Sequence, residues 1–353
     1  MITLSAPCEP RRERRAERYT KGNLCVLGIE STAHTFSAAV VTERERLLSD
    51  VKDVYVPPEG SGIHPTEAAN HHSAVAARVI REALEASGVD PGSVDAVAYA
   101  MGPGLGPCLR VGAVSARAMA LALERPLVPV NHAVGHIELG CMLTGASSPL
   151  VLLISGGHTM VVSCSSGMWR VLGETLDLTL GQLLDQLGRH HGYASPCGRR
   201  IEEAAARSRR YLRLPYTVKG NDVSFSGLLT AAKRMVDRGE PFEDVCFSVQ
   251  ESAFATTVEV TERALAFTGS GEVMVVGGVA ANRRLAEMLT VMVERHSARL
   301  SVVPLRYSGD CGAQIAWTGL LAYRAGTTVP IEGSVVRQSW RLDTVPLPWR
   351  AGP

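Results

Sequence analysis

A repeated pattern of apolar strand, small polar turn and apolar strand constrains the fold of this chain more than any other feature. The first copy reads LCVLGIE at residues 24–30 and FSAAVV at residues 36–41. The second copy reads LVLLI at residues 150–154, then SGGHT, then MVVS. Each copy predicts a β-hairpin whose turn of small residues lets a ligand approach the backbone closely. The repetition predicts two related lobes.

Stretches with helical periodicity lie between and after these strands. Apolar residues recur at helical spacing over residues 72–87, 111–123 and 247–268. The glycine-bounded run VMVV at residues 273–276 predicts a buried strand, and the GGVAAN after it predicts a loop that enters a further helix. Strands that alternate with helices are typical of an α/β protein. Residues 340–349 are expected to form an irregular C-terminal end.

The composition narrows the class of protein. The net charge of +1 gives no global electrostatic footprint for nucleic acid, although it leaves a local basic patch open. None of the eight cysteines forms a C-x-x-C pair, which argues against a zinc knuckle or a disulfide framework and suits a reducing cytoplasm. Because no run of about 18 uncharged apolar residues occurs, we expect no membrane span and a cytoplasmic location.

The N-terminal segment, residues 1–23, carries charges of both signs in PRRERRAERYTKGN and lacks the apolar core of a secretory signal. We expect a mobile tail there. An RNA-contacting arm is the alternative interpretation, although short basic runs are usually only solvated.

Four loops rich in small residues stand where strands meet turns or helices. They occupy residues 28–33, 102–106, 155–159 and 277–282. Glycine lets the backbone come close to a phosphate, and successive N–H groups can cradle the anion. The four loops together predict nucleotide or phosphate binding between the lobes. Neither a P-loop motif nor the G-x-G-x-x-G fingerprint is present.

Two histidines in VNHAVGHIE, His132 and His136, are spaced one helical turn apart. The pair is compatible with metal binding if other ligands come from elsewhere, and Asp310 is a candidate. A zinc peptidase of the H-E-x-x-H type is poorly supported, since Ala133 follows His132. The alternative is a pair of helix-surface or capped histidines with Asp310 as a helix N-cap. We expect the adjacent His71 and His72 to have a structural or lobe-packing role.

At this point the motifs match a family. The chain resembles the universal tRNA N6-adenosine threonylcarbamoyltransferases, and more closely their archaeal and eukaryotic branch, from about Leu24 to the C-terminus. The motifs, in the family's order, are GIESTAHTFSAAVV, ANHHS, GPGLGPCLRVG, VNHAVGHIELG, LISGGHTM, GETLDLTLGQLLDQLGR, VSFSGLLTAAKR, VGGVAANRRL and YSGDCGAQIAW.

The resemblance implies a two-lobed actin-like, sugar-kinase and Hsp70 (ASKHA) fold with a duplicated ribonuclease H-like core. It implies an N-terminal lobe over residues 24–148, to which a segment of about 325–353 returns, and a C-terminal lobe over residues 149–324.

The resemblance also implies site residues. A divalent metal, iron with zinc or magnesium as alternatives, would be held by His132, His136 and Asp310. The archaeal branch adds a tyrosine ligand where this chain has Leu153, which leaves three protein ligands. The residues implied for the adenine nucleotide are Leu153, Ile154, Ser155, Gly156 and Gly157 at the phosphate and Asp185, Gly198, Glu202 and Asn282 at the ribose and base.

Two departures from the family pattern lie near the implied pocket. The chain reads Cys197-Gly198-Arg199-Arg200 where the family usually has Gly-Gly-Pro, and Cys311 replaces the usual asparagine after the metal aspartate. These changes keep two alternatives open. One is a carbamoyltransferase acting on a small-molecule acceptor in specialised metabolism, and the other is a non-catalytic nucleotide-binding scaffold.

The implied activity is transfer of the threonylcarbamoyl group from threonylcarbamoyl-AMP to N6 of adenosine 37 in tRNAs that read codons beginning with A. A separate synthase would supply the donor. The implied partners are tRNA, a small atypical kinase and accessory subunits. Since no serine or cysteine in the motifs has an evident base beside it, we expect direct transfer without an acyl-enzyme.

Overall fold

The computed structural model describes residues 23–44, 46–58 and 61–351. It contains two compact units. The first includes the residues up to Val54, Ala69–His132 and Cys311–Gln338, and the second includes Tyr55–Ala68, Ala133–Asp310 and the residues from Ser339 onward. The lobe boundaries expected from the sequence stay a prediction. The N-terminal tail lies outside the described residues apart from Asn23.

The first unit is built on a five-stranded sheet in the order β3-β2-β1-β4-β5. Its strands are β1 (Cys25–Glu30), β2 (Thr35–Thr42), β3 (Arg46–Val54), β4 (Ala96–Gly102) and β5 (Leu127–Asn131). Strands β1, β2 and β3 pair antiparallel in sequence order, whereas β4 and β5 add parallel on the other side of β1. Strands β1 and β2 are buried along their whole length, which agrees with the apolar runs at residues 25–29 and 38–41 within them.

The second unit repeats this topology with the order β12-β11-β6-β7-β8. Its strands are β6 (Leu150–Ile154), β7 (Thr159–Ser165), β8 (Met168–Glu174), β11 (Glu272–Val276) and β12 (Arg299–Val302). A separate two-stranded ribbon pairs β9 (Val218–Lys219) with β10 (Asp222–Val223). Because the antiparallel and parallel neighbours of β6 match those of β1, the two predicted hairpins and their duplication are confirmed.

Ten α-helices of the described chain pack on these sheets or lie around them. They are α1 (Pro65–Ser87), α2 (Gly106–Leu123), α3 (His132–Thr144), α4 (Leu180–His190), α5 (Gly198–Ala205), α6 (Ser226–Asp237), α7 (Phe242–Thr268), α8 (Arg283–Arg295), α9 (Leu305–Ser308) and α10 (Gly312–Arg324). No described helix has the length and apolar character that crossing a membrane requires.

The predicted helices exist, but three begin earlier than the apolar periodicity indicates. Helix α1 begins at Pro65, a residue preferred in the first turn because it has no N–H to leave unpaired. Helix α7 begins at Phe242 and carries Glu243 and Asp244 in its first turn, where acidic side chains favour the helix dipole. Helix α2 likewise begins at Gly106. These polar or glycine-containing first turns carry little apolar signal.

Glycines allow helices and loops of the first unit to approach the sheet closely. A Cβ at Gly28 in β1 would stand 2.2 Å from the backbone nitrogen of Ala316 in α10, so that contact requires glycine. The loop at residues 102–106 meets the turn after β1, since the N–H of Leu105 donates to the carbonyl of Thr32 at 2.8 Å. The two glycine loops predicted in this half of the chain are therefore in direct contact.

The C-terminal residues are irregular, as expected, apart from a single 3-10 turn at Leu342–Thr344. These residues pack against the second unit, because Leu342 and Leu347 are buried in one of its apolar clusters together with Trp169.

Candidate metal and nucleotide sites

Helix α3 carries two buried histidines one turn apart. His132 is its first residue and His136 follows four positions later, so both imidazoles project from the same face. Nε2 of His136 lies 3.4 Å from Oδ1 of Asp310 in the same compact unit. The ligand atoms of His132, His136 and Asp310 all lie within 4.8 Å of one another. These three side chains therefore form a candidate metal site.

The surroundings of these residues argue against the alternative of helix-surface histidines and a capping aspartate. Both histidines are buried, with 5% and 3% exposure, and so are not helix-surface residues. The N-cap of α10 is Cys311, without a capping side-chain hydrogen bond, so Asp310 is not the N-cap. Its carboxylate lies beside His136 instead.

The ring of His132 is held by a polar group at the end of β1. Its Nδ1 lies 2.9 Å from Oε2 of Glu30, a carboxylate with no solvent exposure. The side-chain amide of Gln314 lies 2.9 Å from the same Nδ1 and donates to Glu30 at 3.5 Å. With the proton on Nδ1 donated to Glu30, the imidazole lone pair lies on Nε2, the arrangement common in metal-bound histidines, and the amide of Gln314 donates to Glu30 and not to Nδ1.

The donor set fits a divalent transition metal. Two imidazoles and one carboxylate are the ligands that iron(II) and zinc accept, and two histidines with one carboxylate are typical of non-haem iron sites with open positions. The structure places Leu153 fully inside β6, where an apolar side chain adds no ligand. Among the His, Cys, Asp and Glu side chains of the described residues, the candidate site thus offers three ligands.

The loop after β6 has an open face. Ser155 Oγ accepts the N–H groups of Gly157 and His158 at 3.2 and 3.1 Å, which closes the loop into a tight turn. Thr179 Oγ1 donates to the carbonyl of Gly156 at 3.0 Å. No atom lies within 4 Å of where a Cβ of Gly156 or Gly157 would stand. This face gives a phosphate group room to lie against the backbone, whereas Ile154 just before it is buried.

The loop after β11 stands beside the loop after β6, because the two strands are parallel neighbours. Gly277 has a φ of +100°, and a Cβ there would lie 2.2 Å from the carbonyl oxygen of Ile154. The carboxyl ends of neighbouring parallel strands are where α/β sheets bind ligands. Two of the four predicted glycine loops therefore meet at one edge of this sheet.

Asn282 and Glu202 meet at the start of α8. Asn282 Oδ1 accepts the N–H of Arg284 at 3.0 Å, and its Nδ2 donates to Gln250 at 2.9 Å. Glu202 Oε1 accepts the N–H of Arg283 at 2.9 Å. The first donors of α8 are thus satisfied internally, and Asn282 shapes this edge while its side chain is already hydrogen-bonded.

Asp185 organises the segment between α4 and α5. Its Oδ1 accepts the hydroxyl of Ser195 at 2.7 Å and the N–H of Cys197 at 3.1 Å, and its Oδ2 accepts Nε of Arg189 at 2.9 Å. This segment leads directly into Gly198, the first residue of α5. Asp185 therefore positions the start of the helix that carries Glu202.

The two departures from the family pattern have structural explanations. Arg199 is 89% exposed and pairs with Glu203 one turn along α5, at 2.9 Å. Cys311 is completely buried in the first unit, and burial raises the pKa of its thiol well above the usual range. An exposed ion pair and a buried neutral thiol give no support to a changed acceptor.

The adjacent histidines have the structural role expected of them. His72 is buried, donates from Nε2 to the carbonyl oxygen of Ala33 at 3.0 Å and packs edge-on against Phe36. His71 contacts Asp53 at 2.9 Å. Both contacts tie α1 to strands and turns of the first unit.

Two five-stranded sheets of the same strand order, each covered by helices, give this chain the actin-like, sugar-kinase and Hsp70 fold, as predicted. Comparison with known proteins agrees. The crystal structure of T. kodakarensis HypF aligns with a TM-score of 0.60 at 14% identity, over 89% of this chain and 49% of that one. At this identity the likeness concerns the fold alone.

The chain belongs to the tRNA N6-adenosine threonylcarbamoyltransferase family, whose family model matches residues 46–317. A Caldivirga maquilingensis protein of that name is 50% identical over 326 residues, 92% of this chain and 98% of its own length. A Methanocorpusculum labreanum protein named as a probable bifunctional tRNA threonylcarbamoyladenosine biosynthesis protein is 52% identical over 325 residues, 92% of this chain and 61% of its own length.

Glu30 and Gln314 are residues of the site that the sequence interpretation missed. The available signal was a glutamate at the end of the apolar strand LCVLGIE, where an ionisable side chain inside a buried strand needs a partner. Gln314 gave no comparable signal, because one glutamine near the start of a helix is unremarkable in sequence.

Proposed function

We propose that this chain transfers a threonylcarbamoyl group from threonylcarbamoyl-AMP to N6 of adenosine 37 in tRNAs that read codons beginning with A. It is a transferase of tRNA modification, in keeping with its family. The observation that carries the proposal is the cluster of His132, His136 and Asp310 in a fold whose glycine loops suit an adenylate.

His132, His136 and Asp310 would hold the metal, and iron is the proposed ion because two histidines with one carboxylate suit it. When bound, such an ion supplies Lewis acidity to oxygen atoms that gain charge during acyl transfer. Glu30 fixes the tautomer and orientation of His132 through Nδ1. Burial of both imidazoles keeps bulk water away from the ligand atoms.

Ser155, Gly156 and Gly157 receive the phosphate of the adenylate in this proposal, with Leu153 and Ile154 as the strand that supports them. Their open glycine face lets the anion approach the backbone without meeting a side chain. The N–H groups of Gly157 and His158 donate to Ser155 Oγ in this structure and would have to turn toward the phosphate to stabilise its developing negative charge.

Asp185, Gly198, Glu202 and Asn282 are proposed to form the ribose and base side of the nucleotide site. Support comes from their hydrogen bonds, which bring the starts of α5 and α8 to the edge where the glycine loops lie. Because Asp185 and Asn282 are already engaged in the protein, we assign them to shaping this surface as well as to contacting the nucleotide.

Direct transfer from the donor to N6 agrees with the described cysteine thiols being protonated. Burial raises the pKa of every described cysteine, to about 12 for Cys141 and Cys197. A thiol that stays protonated is a poor nucleophile. Positioning of a weakly nucleophilic exocyclic amine against the donor therefore supplies much of the rate.

The partners of this reaction are part of the proposal. The donor would come from a separate synthase, tRNA would be the acceptor, and a small atypical kinase with accessory subunits would assist. The bifunctional name of the Methanocorpusculum labreanum relative supports association with a second activity of threonylcarbamoyladenosine biosynthesis. We place the reaction in the cytoplasm, where buried thiols persist.

A reconstituted reaction tests the proposal. The chain is incubated with threonine, bicarbonate, ATP, the synthase, partner subunits and unmodified tRNA, and nucleosides are analysed by mass spectrometry. Threonylcarbamoyladenosine should form with the wild type and with the surface control His296→Ala, but not with His132→Ala or Asp310→Ala. No product from the wild type would overturn the activity, and full activity of both site variants would overturn the metal role.

A further inference from the structure

An irregular, strongly basic segment follows α5 in the second unit. Residues 207–219 contain five cationic side chains and no acidic one, within a chain whose net charge is +1. The cations are Arg207, Arg209, Arg210, Arg213 and Lys219, and all five are exposed. Two tyrosines, Tyr211 and Tyr216, stand among them and are 53% and 59% exposed. We call residues 207–219 the basic segment.

Hydrogen bonds hold the basic segment against α7. The N–H of Leu212 donates to Ser248 Oγ at 2.7 Å, the hydroxyls of Tyr211 and Ser252 lie 2.9 Å apart, and the Tyr216 hydroxyl donates to Glu259 at 2.7 Å. Ser248, Ser252 and Glu259 follow one another on α7 at separations of about one and two turns. Both tyrosine rings are thus anchored by their hydroxyl ends while the rings stay exposed.

A groove of about 530 Å³ runs between the basic segment and α7. Arg209, Tyr211, Tyr216 and Phe247 line it, together with two acidic residues. Both acids are neutralised, since Glu251 pairs with Arg284 at 2.6 Å and Glu259 pairs with Arg263. The groove therefore combines exposed aromatic rings with the guanidinium group of Arg209, and Arg213 is exposed four residues further along the basic segment.

The arginines are available to a polyanion. Within the described residues, no ion pair involves Arg209 or Arg213. Arg207 and Arg210 make pairs with acidic residues at 3.0 to 3.3 Å, but both arginines are 59% exposed. Exposed pairs contribute little, so phosphates can compete for these side chains.

The groove lies next to the candidate nucleotide site. Gln250 and Glu251 are consecutive residues of α7: Gln250 accepts from Asn282, and Glu251 lines the groove. Arg284, the partner of Glu251, is two residues beyond Asn282 in α8. A nucleic acid in the groove would pass close to the residues proposed to hold the adenylate.

We propose that this groove binds unpaired nucleotides of the acceptor tRNA, with bases stacked on Tyr211 and Tyr216 and phosphates at Arg209 and Arg213. The inference rests on the proposed function and assigns part of its RNA surface. Stacking on aromatic rings accepts any base, and a cationic groove follows the phosphate backbone. The rings and cations of the basic segment provide both on one rigid support.

Tyrosine and arginine variants test this inference in the full chain, with fluorescently labelled unmodified tRNA measured by anisotropy over a range of salt concentrations. Arg209→Glu with Arg213→Glu should weaken binding at least about 10-fold and reduce the slope of log K against log salt by about 1.5. Tyr211→Ala with Tyr216→Ala should also weaken binding, whereas the Phe pair keeps the rings and should bind nearly as the wild type does.

The matched control reverses two exposed arginines elsewhere in the second unit, Arg238→Glu with Arg295→Glu, and should leave tRNA affinity unchanged. ATP affinity should stay constant in all variants and shows that the fold is retained. Wild-type-like tRNA binding by the groove variants, loss only of a protein partner, or no tRNA binding by the wild type would each overturn the inference. Normal product formation alongside such results would leave the proposed function standing.

Discussion

Nδ1 of His132 lies 2.9 Å from Oε2 of Glu30, and Glu30 has no exposure to solvent. The contact joins the first residue of α3 to the last residue of β1. A carboxylate behind a metal-binding histidine fixes the tautomer of the ring and makes its outer nitrogen a better ligand. Glu30 is therefore a positioning residue for the candidate metal site.

Replacing Glu30 with glutamine should weaken metal binding about 10- to 100-fold, because the amide no longer stabilises the Nδ1–H tautomer as a carboxylate does. Titration of the apo chain with Zn²⁺ against a chromophoric chelator measures this directly. Glu43→Gln, at an exposed ion pair in the same unit, is the control and should bind normally. Equal affinities of the two variants for Zn²⁺ would show that Glu30 does not support metal binding.

Arg350 and Glu138 form a buried ion pair that anchors α3 to the C-terminal residues. Nε of Arg350 lies 2.6 Å from Glu138 Oε1, which also accepts Nε1 of Trp169. Arg350→Met would leave the carboxylate without its cation and should lower the free energy of unfolding by about 3–5 kcal/mol. The double variant with Glu138→Leu should recover most of this loss.

Urea unfolding measures these changes. Arg341→Met is the comparison: the Arg341 side chain is 53% exposed in its pairs with Glu174 and Asp343, so this change should cost less than about 1 kcal/mol. A double variant as unstable as Arg350→Met alone would contradict the assignment of the loss to an uncompensated buried charge.

His72 predicts a pH dependence of stability. Burial lowers the pKa of this imidazole from 6.5 to about 4. The unfolded chain therefore takes up a proton in this range that the folded chain does not, so stability is lost as pH falls from about 6.5 to about 4. At about 1.4 kcal/mol per pKa unit, the loss amounts to about 3 kcal/mol.

Unfolding by urea at about pH 7, 6, 5 and 4 tests whether stability falls with acidification and whether it does so in the predicted pH range. His72→Gln removes the titrating group, so its stability should decline less steeply with acidification than that of the wild type. Parallel curves for the two proteins would show that other groups set the pH dependence.

Gly277→Ala tests the contact between the two glycine loops of the second unit. The new Cβ would stand 2.2 Å from the carbonyl oxygen of Ile154, just before the proposed phosphate loop. Gly239→Ala is a matched control, since its φ of +84° is strained to a similar degree but its Cβ meets nothing within 4 Å. Gly239→Ala should lose about 1–2 kcal/mol of stability from φ strain alone, and Gly277→Ala should lose more because its Cβ also meets the backbone of Ile154.

Only Gly277→Ala should also weaken ATP binding, which calorimetry measures, because only there does the side chain displace the loop at residues 155–157. Unchanged ATP affinity in Gly277→Ala would show that this loop does not hold the phosphates.

The sequence predicts the helices and strands better than it predicts which side chains from distant parts of the chain come into contact. Strand β6 occupies the predicted residues 150–154, since its apolar run is bounded by turn residues. The polar first turn of α1 contributes nothing to the apolar periodicity, so the sequence predicts the start of this helix too late. Asp310 lies far along the chain from His136, so their 3.4 Å approach follows from the family resemblance and the fold rather than from spacing. Glu30 was missed because its partner belongs to another motif.

The most direct test of the account is a crystal structure of the chain with ATP and iron(II), with anomalous diffraction recorded at the iron edge. The account predicts one anomalous peak about 2.0–2.2 Å from a nitrogen of His132, a nitrogen of His136 and a carboxylate oxygen of Asp310, with a phosphate group at the loop of residues 155–157. Bound nucleotide without a peak among these three side chains would contradict it.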